Sequence, residues 1–152
     1  MKKLFAIVLT FALLMSLSVT AFAANTTGGD ADITTSIAPT YTVTIPADVN
    51  VQFNATETAF GTIEVTASQI HPDKCIKVAL ATDKELNNVI DNTNVIPYAI
   101  KDSEGAEFTS ATYLTEGDKT ELSIHITADD WNAAYAGDYS DTVTFTVSYE
   151  DK

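Results

Sequence analysis

From Tyr41 onward, apolar side chains recur at every second position through much of the chain. That period of two predicts strands with one buried face and one face in water. Tyr41, Val43 and Ile45 alternate with Thr42 and Thr44 up to Pro46, and Val49, Val51 and Phe53 repeat the rule. Gly61 leads into Ile63 and Val65, and the turn His71-Pro72-Asp73 leads into Ile76, Val78 and Leu80. Ile96, Tyr98 and Ile100 follow; Pro97 between them has no amide donor, which favours a sheet edge or a strand start. Phe108 with Tyr113 or Leu114 makes a weaker pair. Leu122, Ile124 and Ile126 are regular again, with Ser123, His125 and Thr127 turned outward. The last run sets Val143, Phe145, Val147 and Tyr149 on one face against Thr142, Thr144, Thr146 and Ser148.

No window carries a sustained helical stripe, and only Asp83 to Asn87 and Ala128 to Ala134 suit a single helical turn. Short strands rich in Thr, Val, Ile, Tyr and Phe, with turns and no helices between them, predict an all-β fold. The expected architecture is an immunoglobulin-like antiparallel β-sandwich of about seven or eight strands.

The N-terminus reads differently. Lys2 and Lys3, an apolar run from Leu4 to Leu14 and then Ala21-Phe22-Ala23 have the layout of a secretory leader over residues 1–23, cut after Ala23. A bilayer span needs about twenty apolar residues, so no membrane span is expected in the remaining chain. Residues 24–39 form a polar extension with a Gly28-Gly29 hinge, and residues 40–152 form one sandwich domain. Within the extension, Ile33, Thr35 and Ile37 alternate with polar neighbours. Such a segment suits either the domain's own first strand or a strand lent to a neighbour.

Charge narrows the partners. All eight basic residues are lysines; with Lys2 and Lys3 removed, six face 21 acidic residues, and the net charge moves from −13 to −15. A surface of that sign repels phosphate backbones and anionic lipid, which disfavours nucleic acid and membrane surfaces. Cys75 is the single cysteine, so no internal disulfide can form. Alternation turns it outward beside Lys77 as an accessible thiol or an intermolecular bridge, while a half-buried small apolar residue is the other reading.

Gly137-Asp138-Tyr139 stands just before the last strand, as the tyrosine corner of immunoglobulin-like sandwiches does. There the glycine permits a tight approach and the tyrosine hydroxyl bonds upstream backbone. In that topology a further strand follows, yet the sequence holds only enough residues for one strand after the corner. The expected consequence is an apolar groove and unpaired backbone along Val143, Phe145, Val147 and Tyr149, the acceptor strand. The run Gly137, Tyr139, Asp141, Val143, Phe145 and Val147 resembles the closing strand of spore coat protein U and pilin-like subunits, although the paired cysteines of that family are missing. The resemblance implies a domain completed by an N-terminal strand from a neighbouring subunit, with Ile33 and Ile37 as the exchanged residues.

Other chemistry has little support. His71 and His125 lack the acid and nucleophile that hydrolytic catalysis needs, and the nitrogen and sulfur ligands are too few for zinc. No cofactor is expected. The acidic pairs Asp129-Asp130 and Asp138 with Asp141 are the one set of oxygens that suits calcium. Asp129, Asp130, Trp131 and Tyr135 combine acids and aromatics on one connection, as a carbohydrate-binding loop does; in the alternative, Trp131 plugs the end of the sandwich. The expected function is a non-catalytic structural or adhesive subunit at a bacterial cell surface, partnered by itself or other surface subunits. A carbohydrate-binding module is the alternative, with glycans as partners.

Overall fold

A computed structural model describes residues 30–152. The leader assigned to residues 1–23 and the start of the extension, including Gly28-Gly29, lie outside the described residues. In chain order the strands are β1 (Thr40–Thr44), β2 (Glu57–Gln69), β3 (Lys74–Ala81), β4 (Glu85–Asn88), β5 (Val95–Pro97), β6 (Ala99–Asp102), β7 (Ser110–Tyr113) and β8 (Lys119–His125). A one-turn helix, α1 (Ala128–Ala133), then precedes β9 (Tyr139–Ser140) and β10 (Thr144–Asp151).

Among the described residues all strand pairings are antiparallel and fall into three sheets, ordered β1-β2-β8-β6, β10-β3-β7 and β5-β4-β9. The first two face each other as a sandwich. Ile63 and Val65 of β2 and Leu122 and Ile124 of β8 pack on Ile76 and Val78 of β3 and Tyr113 of β7. Each fully buried Ile or Val stabilises the fold by about 1.5–3 kcal/mol relative to exposure. The third sheet is a small hairpin extension that adds Ile96 to the core and meets the approach to β10 through β9. Pro97 lies on β5, an edge strand, where its missing N–H costs no ladder bond.

Two aromatic contacts fix the relative direction of the facing sheets. Tyr41 of β1 stacks on Tyr149 of β10, and Phe60 of β2 packs on Phe145. The start of β1, the end of β10 and the β7–β8 turn therefore share one pole, the base. The opposite pole, the crown, gathers the connection from Ile45 to Thr56, α1, the β4–β5 hairpin and the corner before β10. A bulge between Ala59 and Gly61 in β2 bends the sheet at the crown end. Gly61 has φ +140°, and a Cβ there would lie 3.0 Å from Pro46 Cβ, so only glycine lets the connection cross at that height.

The strands depart from the expected pattern at four points. Val49, Val51 and Phe53 form no strand, because the connection crosses the crown without meeting a partner ladder. Asp83 to Asn87 is not a helical turn; Leu86 and Asn87 pair with Ile96 and Val95 in β4–β5. The run of Ile96, Tyr98 and Ile100 is split, because Tyr98 leaves one sheet, donating its N–H to Lys84 O, before β6 joins another. Among the described residues the count is ten strands, several of two to four residues, since the short ladders of β4, β5, β7 and β9 give weak alternation.

Candidate functional site

The site is the outer edge of β10 with the cleft that continues it into the crown. Among the described residues β10 has one strand partner, β3, in an unbroken register from Thr144 opposite Ala81 to Asp151 opposite Lys74. Its other edge meets no strand among the described residues. Phe145, Val147 and Tyr149 point toward the facing sheet but stay half-buried, whereas Ile76 and Val78 on β3 are fully enclosed. Val143 precedes the strand and is likewise half-buried. The inward face of the last strand is thus covered from one side only.

Above Phe145 the opening widens into a cleft of about 1190 Å³ lined by Ile45, Val51, Phe60, Leu86, Val143 and Phe145. Asp48, Asp138 and Asp141 stand at its rim, and no lysine lines it.

The corner forms one wall. The Tyr139 hydroxyl donates to the carbonyl of Tyr135 at 2.9 Å, and its ring packs against the core. Gly137 is forced by its neighbour, since a Cβ there would meet Asn88 Nδ2 at 2.4 Å. Asn88, a buried carboxamide, accepts the N–H groups of Ile90 and Asp91 through Oδ1 at 3.0 and 3.1 Å. Asp141 is tied to the body of the domain: Thr82 Oγ1 donates to its Oδ2 at 2.9 Å, and the Tyr98 hydroxyl bonds the same oxygen. Burial, reinforced by that carboxylate, pushes the Tyr98 phenol well above its usual range.

The loop expected to bind sugar divides its residues between structural roles and solvent. Trp131 is half-buried; its indole N–H donates to Ala55 O at 2.9 Å, and Phe53 abuts it edge-on at 5.7 Å. Asp130 closes a capping box with Thr127 at the start of α1, so its carboxylate serves the helix. Asp129 and Tyr135 face solvent, Tyr135 with 72% of its surface exposed. The acids weighed for calcium do not converge either: among the described residues no three His, Cys, Asp or Glu side chains gather at a metal-holding distance.

Asp30 to Pro39 joins no strand of its own domain, so the reading of this segment as the sandwich's first strand is overturned; the first strand begins at Thr40. Ile33 is 99% and Ile37 70% exposed. Cys75 also departs from its outward reading, being 4% exposed. Its thiol contacts Asp151 O at 3.7 Å, while Glu150, its cross-strand neighbour, reaches Lys77 at 3.5 Å on the same face. His71 sits in its turn, accepting the Asp73 N–H, and His125 bonds Ser123 on the outer face of β8. Among the described residues no helix is long and apolar enough to cross a membrane.

Alternation alone could not find three parts of this region: Asn88, the Ile45–Val51 wall, and the exposed pair Val89-Ile90. The only signal for that pair was two aliphatic residues set inside the turn-forming run Asn87 to Asn94. In comparisons with known proteins, no family model matches the chain and no curated sequence matches it.

Proposed function

We propose that the protein is a secreted, non-catalytic structural or adhesive subunit of a bacterial cell surface, an immunoglobulin-like sandwich that joins copies through the open edge of β10. One observation carries the reading: among the described residues, the long strand β10 with a single partner and half-covered apolar side chains coexists with an unpaired segment bearing exposed Ile33 and Ile37. Bare strand edges invite pairing, and a segment with alternate apolar side chains is what strand addition uses. The resemblance of Gly137 to Val147 to pilin-like closing strands points the same way. Size-exclusion chromatography and electron microscopy of residues 24–152, with and without residues 24–38, test it. Polymers that vanish on deletion support the proposal; a monomer indifferent to the deletion refutes it.

A second reading, glycan binding, draws on exposed Tyr135 and Phe53 beside the acidic rim. Trp131, with its indole N–H engaged, acts there as support rather than platform. Glycan-array binding that Tyr135→Ala abolishes without a change in melting temperature would favour this reading.

A further inference from the structure

The exposed segment and the cleft lie at opposite poles. Residues 30–39 enter β1 at the base, where Tyr41 meets Tyr149, while the cleft opens at the crown beside Gly137 and Val143. Folded back on its own domain, the segment would run parallel to β10. Arriving from a copy stacked on the crown, it would run antiparallel, the geometry with the slightly stronger ladder.

The tether in such a stack is short. Only Ala38 and Pro39 separate Ile37 from Thr40, a reach of roughly 10 Å. A copy that seats Ile37 in the cleft mouth must rest its base on the crown.

At the crown projects the β4–β5 hairpin tip, where Asp91, Asn92 and Thr93 are exposed and several polar groups bond within the tip or to the corner. Asn88 Oδ1 accepts two N–H groups of the loop, Asp91 accepts the Thr93 N–H at 3.1 Å and hydroxyl at 2.7 Å, and the Val89 N–H donates to Asp138 O at 2.9 Å. Val89 and Ile90 are left in solvent, Ile90 with 93% of its surface exposed. A turn whose amides at Val89, Ile90, Asp91 and Thr93 are already bonded, and which presents an aliphatic pair, suits contact. The base offers an apolar counterpart in exposed Leu114, next to Tyr113.

Resting on the self-association proposed above, we infer that Val89 and Ile90 form a second, strand-independent contact, seating the base of the next copy in a head-to-tail stack. Ile90→Asp alters a solvent-facing side chain and leaves the Asn88 bonds intact. It is expected to raise the concentration needed for assembly by about tenfold, the equivalent of losing one modest apolar contact. A synthetic peptide of residues 30–40 is the second probe, bound to full chains carrying Ile33→Ser and Ile37→Ser so that they cannot donate. Its affinity should be the same with Ile90 or Asp at position 90. Wild-type assembly by Ile90→Asp overturns the tip contact and leaves the strand reading standing. Loss of peptide binding together with assembly overturns it too, since the tip would then act through the groove. Failure of the unaltered chain both to assemble and to bind the peptide removes the underlying reading, and the tip contact with it.

Discussion

Tyr41 and Tyr149 stack across the two facing sheets with ring centroids 5.9 Å apart and planes 29° from parallel. The pair ties the first strand to the last, and the Tyr149 hydroxyl also accepts the His71 N–H at 3.0 Å. One residue thus secures β1, β10 and the β2–β3 turn at the base.

Truncation should separate those roles. Tyr149→Phe keeps the stack and loses one partly exposed hydrogen bond, a cost of about 0.5–1 kcal/mol. Tyr149→Ala also loses the aromatic contact and should cost about 2–4 kcal/mol, less than a fully buried aromatic because the ring is half-exposed. Urea unfolding checks this: the midpoint should fall in the order wild type, Phe, Ala, at constant slope.

Gly137→Ala is expected to act through Asn88. The new methyl would sit 2.4 Å from Asn88 Nδ2, so the carboxamide must move and release the N–H groups of Ile90 and Asp91. A loss of about 1–3 kcal/mol follows. Thermal melts should show a lowered midpoint, and hydrogen exchange should show faster exchange at Ile90 and Asp91 than at the core amides of β3.

Tyr98→Phe removes the hydroxyl that bonds Asp141 Oδ2 and Thr82 Oγ1, the latter at 2.7 Å. Asp141 keeps Thr82, so the charge is not stranded, and the expected cost is about 1–2 kcal/mol. Chemical denaturation measures it; a midpoint equal to wild type would mean that water replaces the phenol without loss.

Asp118 sets an acid limit for the β7–β8 turn. Its Oδ2 accepts the N–H groups of Leu114 and Thr115 at 2.7 and 2.9 Å, and these bonds hold its carboxyl below the ordinary range. A folded-state value below the unfolded one adds stability that is present above about pH 4 and fades as the pH falls further. Asp118→Asn should therefore melt lower than wild type at pH 6, with the gap narrowing toward pH 3.

Much of the sandwich was legible because two-residue alternation reports directly which residues face a core. Ile63 and Val65, Ile76 and Val78, and Leu122 and Ile124 all lie where the pattern puts them. Alternation cannot say whether a ladder partner exists, so Val49, Val51 and Phe53 look like a strand although they cross the crown alone. Nor does it register cover on the outer face. Cys75 points away from Ile76 and Val78, yet lies beside Glu150 and Lys77 and under the end of β10. The candidate edge was visible as a strong closing strand, and Tyr139 as its corner. The cleft, Asn88 and the tip at Val89-Ile90 were not, because they depend on segments some fifty residues apart meeting at one pole, a matter of topology rather than local pattern.

The sheltered thiol has a consequence for where such a domain can live. The chain has one cysteine, and it lies sheltered on the outer face of β3 against a main-chain oxygen of β10. Nothing in the sandwich waits for oxidation to become stable, and nothing is undone by a reductant. Folding of this sandwich therefore calls for no step that closes an internal disulfide, in anaerobic or aerated surroundings alike.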